Sequence, residues 1–175
     1  TINDFDQKEG LKVEDLNWYQ LPSDEQFSKH KLKGIYLGNF IKWDPYKQTE
    51  LMKKLYNWKE SKESFERTYR KISNLDDMHE NGAHDYLKFV KFGYGRCSDH
   101  ASKDIRMGYI SREKGIELVK KYDHVKPTKD LKRWLEYTNI KEVEFYTFAD
   151  TLRDKRVWSK NQNDEWIKDN IWQES

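Results

Sequence analysis

The sequence predicts a mainly α chain, a helical region with one short strand, and three observations carry that reading. Turn punctuation is sparse, with 8 Gly and 3 Pro in 175 residues, which favours long helices over a fold of many short strands. Apolar residues recur at helical spacing from residue 46 onward. The 7 Trp, 11 Tyr and 8 Phe supply enough buriable surface to offset a charged fraction of 37%, which by itself would suggest disorder.

Taken in order, 1–33 is polar and irregular, a connecting arm in which Ser23 is placed to cap a short helix after Leu21-Pro22. Residues 33–41 (KGIYLGNFI) place Ile35, Leu37 and Ile41 on one alternating face and Tyr36 and Phe40 on the other, the pattern of a strand covered on both sides. No partner strand is visible, and a lone buried strand would leave its N–H and C=O groups unpaired. Asp44-Pro45 opens a helix with Leu51, Met52, Leu55 and Tyr56 on one face, and 59–71 follows as a charged run without a stripe. Residues 73–82 read as a loop by composition. A helix with Ala83, Tyr86, Leu87, Val90 and Tyr94 at i, i+3, i+4, i+7 and i+11 comes next, with Phe89 and Phe92 off that stripe. Being apolar nearly all round, it is expected at the centre of the core, ended by Gly93 and Gly95.

A short helix is expected over 98–107 with Ser98 as its cap, and three amphipathic helices follow. The first starts after Ser111 and carries Ile116, Val119 and Tyr122. The second starts after Thr128 and carries Leu131, Trp134 and Leu135, and the third carries Phe145, Phe148, Ala149 and Leu152. Trp158, Trp166 and Trp172 are expected to wrap the tail over the bundle with each indole half buried. The domain reading is therefore an arm and strand over 1–45 and a helical domain over 46–175.

Thirty-three basic against 31 acidic residues leave a net charge of +2, too small for a uniform field that would recruit nucleic acid or an anionic membrane. A single cysteine, Cys97, makes neither an internal disulfide nor a zinc cage, and with no apolar run near the roughly 20 residues of a membrane span the chain is expected in the cytoplasm. The first residue is Thr1 rather than Met, so the chain is expected to belong to a longer product.

The densest polar constellation within apolar sequence is 84–108, HDYLKFVKFGYGRCSDHASKDIRMG. His100 and Asp104 are four apart and share a helical face, Asp99, Lys103 and Arg106 line a neighbouring one, and Arg96 lies at the helix start, where N–H groups attract anions. The group could hold a phosphate or carboxylate, and the alternative is an ion-pair network that locks two helices. Asp76, Asp77, His79, Glu80, His84 and Asp85 match no metal-site spacing, and a solvated loop is the plainer reading. Cys97 has His100 three residues away as a conceivable base, against the commoner role of a buried thiol. No Gly-rich phosphate loop, GxSxG or HExxH is present.

The strings GIYLGNFIKWDPYK (34–47), HDYLKFVKFGYGRCSDHASKDIRMGYISREKGIELVKKYD (84–123) and VWSKNQNDEW (157–166) resemble the C-terminal half of bacterial N-acetyl sugar amidotransferases. These are PP-loop ATP-pyrophosphatase-type enzymes of surface polysaccharide and nonulosonic acid biosynthesis. Cys97 stands where a small residue such as Ala is expected, which weakens a nucleophilic reading of this thiol. The family's cysteine-rich start and its nucleotide-binding α/β domain with an SGGxDS-like loop are not in these 175 residues. The resemblance therefore implies a C-terminal part, with 33–41 adding to the parallel sheet of the other domain and the isolated chain inactive.

The implied reaction converts an acetamido to an acetamidino group. ATP with Mg, held by the other domain, would activate the amide oxygen as an O-adenylyl imidate, and ammonia would displace AMP. Glutaminase and cyclase-like subunits would supply the ammonia, and the substrate would be an N-acetyl sugar or its sugar nucleotide. On this reading Lys91, Arg96, Asp104 and Arg106 contact phosphate or sugar, while His84, Asp85, Asp99 and His100 orient the substrate or relay a proton. No metal ligands are assigned. The competing class is a non-catalytic helical module that docks on an ATPase or glutaminase partner.

Overall fold

The computed structural model describes residues 12–73, 81–170 and 172, and divides into two units, 1–57 and 58–175. Among the described residues there are seven α-helices and one two-stranded antiparallel sheet.

In the first unit, α1 (Asp24–His30) follows the expected Ser23 cap, whose Oγ accepts the Gln26 N–H at 3.2 Å while the Gln26 side chain accepts from Ser23 N–H. α2 (Pro45–Tyr56) starts at Asp44, whose Oδ1 accepts N–H bonds from Tyr46 and Lys47. Between them the expected strand over 33–41 does not form. The backbone closes a 3₁₀ turn at Leu37–Asn39, in which the Phe40 and Ile41 N–H groups both donate to the Leu37 carbonyl at 2.9 Å. With no ladder partner at hand, local bonds satisfy the groups that a strand would have left bare. Ile35, Tyr36, Leu37, Phe40 and Ile41 are exposed, as is the apolar face of α2.

The second unit is built around α3 (Asn81–Phe92), which packs against α6 (Thr128–Thr138) and α7 (Glu142–Thr151). Its stripe behaves as the spacing predicts, since Ala83, Tyr86 and Val90 join Leu131, Phe145 and Ala149 in one buried cluster. The opposite side is also used. Phe89 is buried, with its ring edge-on to Trp158 at 5.4 Å. Two expected core residues stay outside, Tyr94 and Phe148, at 46% and 59% exposure. α4 (Arg96–Arg106) and α5 (Arg112–Tyr122) form a hairpin around Cys97, Ala101 and Val119.

Helix starts in this unit are capped from near and far. Ser111 caps α5 through the Lys114 N–H, as expected. α4 instead begins two residues before Ser98, at Arg96. The Asp123 carboxylate serves its N-terminus, accepting from Gly95 N–H at 2.8 Å, Ser98 N–H at 3.1 Å and Ser98 Oγ at 2.7 Å. Ser98 thus donates to the cap rather than being it. The start of α6 is capped by Glu66, whose carboxylate accepts from Thr128 Oγ1 and the Lys129 and Asp130 N–H groups, all at 3.1 Å.

The tail forms a small hairpin of β1 (Ser159–Lys160) and β2 (Trp166–Ile167), with Ser159 opposite Ile167 and Lys160 opposite Trp166. Trp158 is buried, and Arg153 lies near it, 4.3 Å from the Trp158 ring and 5.2 Å from Trp166. Trp166 and Trp172 are half buried as expected.

Candidate functional site

The charged run 59–71, unpatterned as sequence, supplies half of the polar cluster. It folds into a turn over 65–70, held by a Thr68 N–H to Phe65 carbonyl bond and a Phe65 N–H to Arg70 carbonyl bond. The turn inserts Arg67, Thr68 and Arg70, all buried, between α3, α4 and the loop after α5. Arg67 donates to the Val125 and Asp123 carbonyls, and its guanidinium lies 5.4 Å from the Tyr86 ring and 5.2 Å from Phe89. Burial lowers its pKa, opposed by nearby Asp123 and Asp85.

Around this turn, α3 and α4 bring together four of the sequence-predicted residues. Arg96 meets Asp85 bidentately, Nε at 3.0 and 3.1 Å from its two oxygens and Nη2 at 2.8 Å from Oδ1. Asp104, 2% exposed, accepts from Arg70 and from the Tyr69 hydroxyl. His100 Nδ1 sits 2.7 Å from Thr68 Oγ1. Burial first, then the charges of Arg70 and Arg96, pushes the His100 pKa down to about 3, so its imidazole is neutral at physiological pH. Asp104 and His100 therefore lock the turn to α4, and it is the outer members that face solvent.

That outer rim consists of two pairs. His84, with a side chain 60% exposed, places Nδ1 3.2 Å from Asp85 Oδ1, so a buried carboxylate orients an accessible imidazole. One turn further along α3, Lys88 pairs with Asp99 of α4, and Lys88 Nζ is also 4.8 Å from the Tyr94 ring centroid. The remaining two predicted residues do not join. Lys91 is exposed beside its neighbour Phe92, its Nζ 5.1 Å from that ring, and Arg106 is exposed and donates to Ser102 Oγ at 2.5 Å.

Two readings the sequence left open are decided, the anion site against and the buried thiol for. The α4 N-terminus is not open to an external phosphate, because Asp123 fills it with the chain's own anion. Cys97 is fully buried and burial pushes its thiol up to about 12, so it is no thiolate nucleophile, and His100 is engaged with Thr68. Of the possible metal group, Asp76, Asp77, His79 and Glu80 lie outside the described residues. Among the described residues no group of three or more His, Cys, Asp or Glu could hold a metal ion.

Sequence reasoning passed over Thr68, Tyr69, Arg70 and Lys88. Lys88 was discoverable, lying three and four residues from Asp85 and His84 on α3. The turn residues carry no periodic signal.

The family model described as "LPS biosynthesis protein WbpG-like, C-terminal domain" matches residues 62–172. The chain belongs to this family. No curated protein matches it. The matched span of the WbpG-like domain takes in the 65–70 turn, the whole cluster on α3 and α4, and the β1–β2 hairpin. Membership ties the chain to lipopolysaccharide biosynthesis and to the C-terminal part of such a protein. No helix among the described residues is long and apolar enough to cross a membrane.

Proposed function

We propose that this WbpG-like domain is the C-terminal part of an ATP-dependent amidotransferase that converts a sugar N-acetyl group into an acetamidino group in surface polysaccharide biosynthesis. The observation that carries the proposal is the rim of two pairs, His84 on Asp85–Arg96 and Lys88–Asp99, over a buried ion-paired interior within the matched family span.

Amidation replaces an amide oxygen by nitrogen, and the incoming ammonia must lose protons as its C–N bond forms. An accessible imidazole held by a buried carboxylate suits that step, with His84 taking the proton and Asp85 stabilising the resulting cation. Lys88 and Arg96 offer positive charge to a substrate's anionic group. The interior pairs Arg70–Asp104 and Thr68–His100 position α4 and touch no substrate.

We place ATP with Mg on another domain, in keeping with an α4 N-terminus filled by Asp123 and no group of three or more His, Cys, Asp or Glu among the described residues that could hold a metal ion. Activation of the amide is assigned to a nucleotide-binding domain of the same protein, and ammonia to glutaminase and cyclase-like partners, with no step routed through this chain. A second reading, a helical module that docks on a catalytic partner, is favoured by the exposed apolar residues Ile35, Tyr36, Phe40 and Ile41.

The test incubates the full-length protein with ATP, an ammonium salt and an N-acetyl sugar nucleotide. AMP release and replacement of the amide oxygen by nitrogen are followed by mass spectrometry. Turnover falling about 100-fold in His84→Ala supports the proton role. AMP release with His84→Ala at full rate refutes that role, and no AMP release with any N-acetyl sugar refutes the amidation reading.

A further inference from the structure

Beside the rim, on the far side of Tyr94, lies a cavity of about 350 Å³ between the α3–α4 junction, the C-terminal end of α5 and the tail. Its size falls within the range of small-ligand sites, about 300–1,000 Å³. The tail closes onto Gly93, which has φ +76°, and a Cβ there would sit 2.4 Å from Val157 Cγ1 and 3.4 Å from Lys168 Cδ. The close approach admitted by Gly93 is what brings Lys168 over the cavity.

The lining has a particular chemistry. Tyr94 and Trp172 contribute aromatic surface. The Tyr94 ring is half exposed, and Trp172 packs on the Cys97, Ala101 and Val119 cluster. Lys120, His124 and Lys168 contribute basic side chains, and Asn170 an amide. Among the described residues Asp123 is the lining carboxylate; it accepts from the Gly95 and Ser98 N–H groups and the Ser98 hydroxyl, and its charge, like that of Asp169, also acts on Lys168. Lys168 Nζ is held by the Asp169 carbonyl at 3.0 Å and Asn170 Oδ1 at 2.8 Å, 6.0 Å from the Phe89 ring centroid, and its partial burial lowers its pKa. Aromatic faces suit the C–H faces of a sugar ring, amide and hydroxyl groups suit its substituents, and the ammonium groups of Lys120 and Lys168 suit an anion.

We infer that this cavity binds a pyranose carrying a phosphate group, its ring against Tyr94 and Trp172 and its phosphate toward Lys168 and Lys120. The substrate class rests on the proposed sugar amidation. Tyr94 joins cavity and rim, since its ring lies under Lys88, so a sugar seated here has its edge beside Lys88 and Asp99.

Isothermal titration of the full chain with N-acetylglucosamine 1-phosphate, methyl N-acetylglucosaminide and inorganic phosphate tests the inference. The sugar phosphate is expected to bind at least tenfold more tightly than either component. Tyr94→Ala should weaken both sugars about tenfold and leave inorganic phosphate unchanged. Lys168→Met should bring the sugar phosphate down to the affinity of the neutral sugar. Lys120→Glu, an exposed change, supplies the same charge test if Lys168→Met does not fold. Absence of saturable binding by either sugar, or unchanged sugar-phosphate affinity in folded Tyr94→Ala and Lys120→Glu proteins, overturns the inference. Binding with the expected variant pattern in a protein that releases no AMP would retain the sugar site and remove the amidation reading. Amidation with an unchanged KM in both variants would do the reverse.

Discussion

Asp104→Asn tests whether the cluster's interior is structural. Asp104 is 2% exposed and accepts from both Arg70 and the Tyr69 hydroxyl, and Arg70 is itself 7% exposed. Asparagine keeps the shape and one acceptor oxygen but removes the charge, leaving a guanidinium in the interior without its nearest counter-charge. Breaking a buried pair in this way costs about 3–5 kcal/mol, and the retained acceptor places the expected loss near the lower end, about 3 kcal/mol. For a domain of this size that corresponds to a fall in Tm of about 10 °C. Thermal and urea unfolding followed by far-UV circular dichroism reads it directly. The companion double change Arg70→Met with Asp104→Leu removes both charges together and should lie within about 1 kcal/mol of wild type, because the cost comes from the stranded ion rather than from loss of the pair. A loss below about 1 kcal/mol in Asp104→Asn, or a double variant less stable than the single one, would refute the argument.

The neutral His100 predicts an acid-side instability. Its pKa is about 3 in the folded chain, below its ordinary 6.5, so the unfolded chain binds the proton first. The stability contribution is complete above about pH 6.5 and declines toward pH 3, by at most about 1.4 kcal/mol per pH unit. His100→Asn should flatten the stability profile between about pH 6.5 and 4.5 relative to wild type, and parallel profiles would count against the buried neutral imidazole. Cys97 should resist a thiol-labelling reagent in the native state and react only on unfolding, so rapid native labelling would contradict its burial. Glu66→Ala removes the cap of α6 and should cost about 1–2 kcal/mol in urea unfolding, with an unchanged midpoint showing that the cap does not matter.

The helical class, the α3 stripe, and the starts of α1, α2 and α5 were legible in the sequence because each rests on bonds or contacts within about four residues. Ser23, Asp44 and Ser111 bond to N–H groups two or three positions on, and Ala83, Tyr86 and Val90 share one face of one helix. The 33–41 segment has the alternation of a strand, but a strand exists only with a partner, and in this structure the backbone satisfies itself in a 3₁₀ turn.

The site divides in the same way. The sequence by itself picked out the 84–108 constellation, since charges set among aromatic and aliphatic residues must find partners. Only the tertiary structure decided which partners. Asp123 reaches 25 and 28 residues back to cap α4, Glu66 reaches more than 60 residues forward to α6, and Thr68 and Arg70 reach 32 and 34 residues to His100 and Asp104. Such bonds leave no periodicity in the chain, because their spacing is set by how helices pack rather than by the turn of any one helix. They determine which polar groups are buried as struts and which, like His84 and Tyr94, stay exposed.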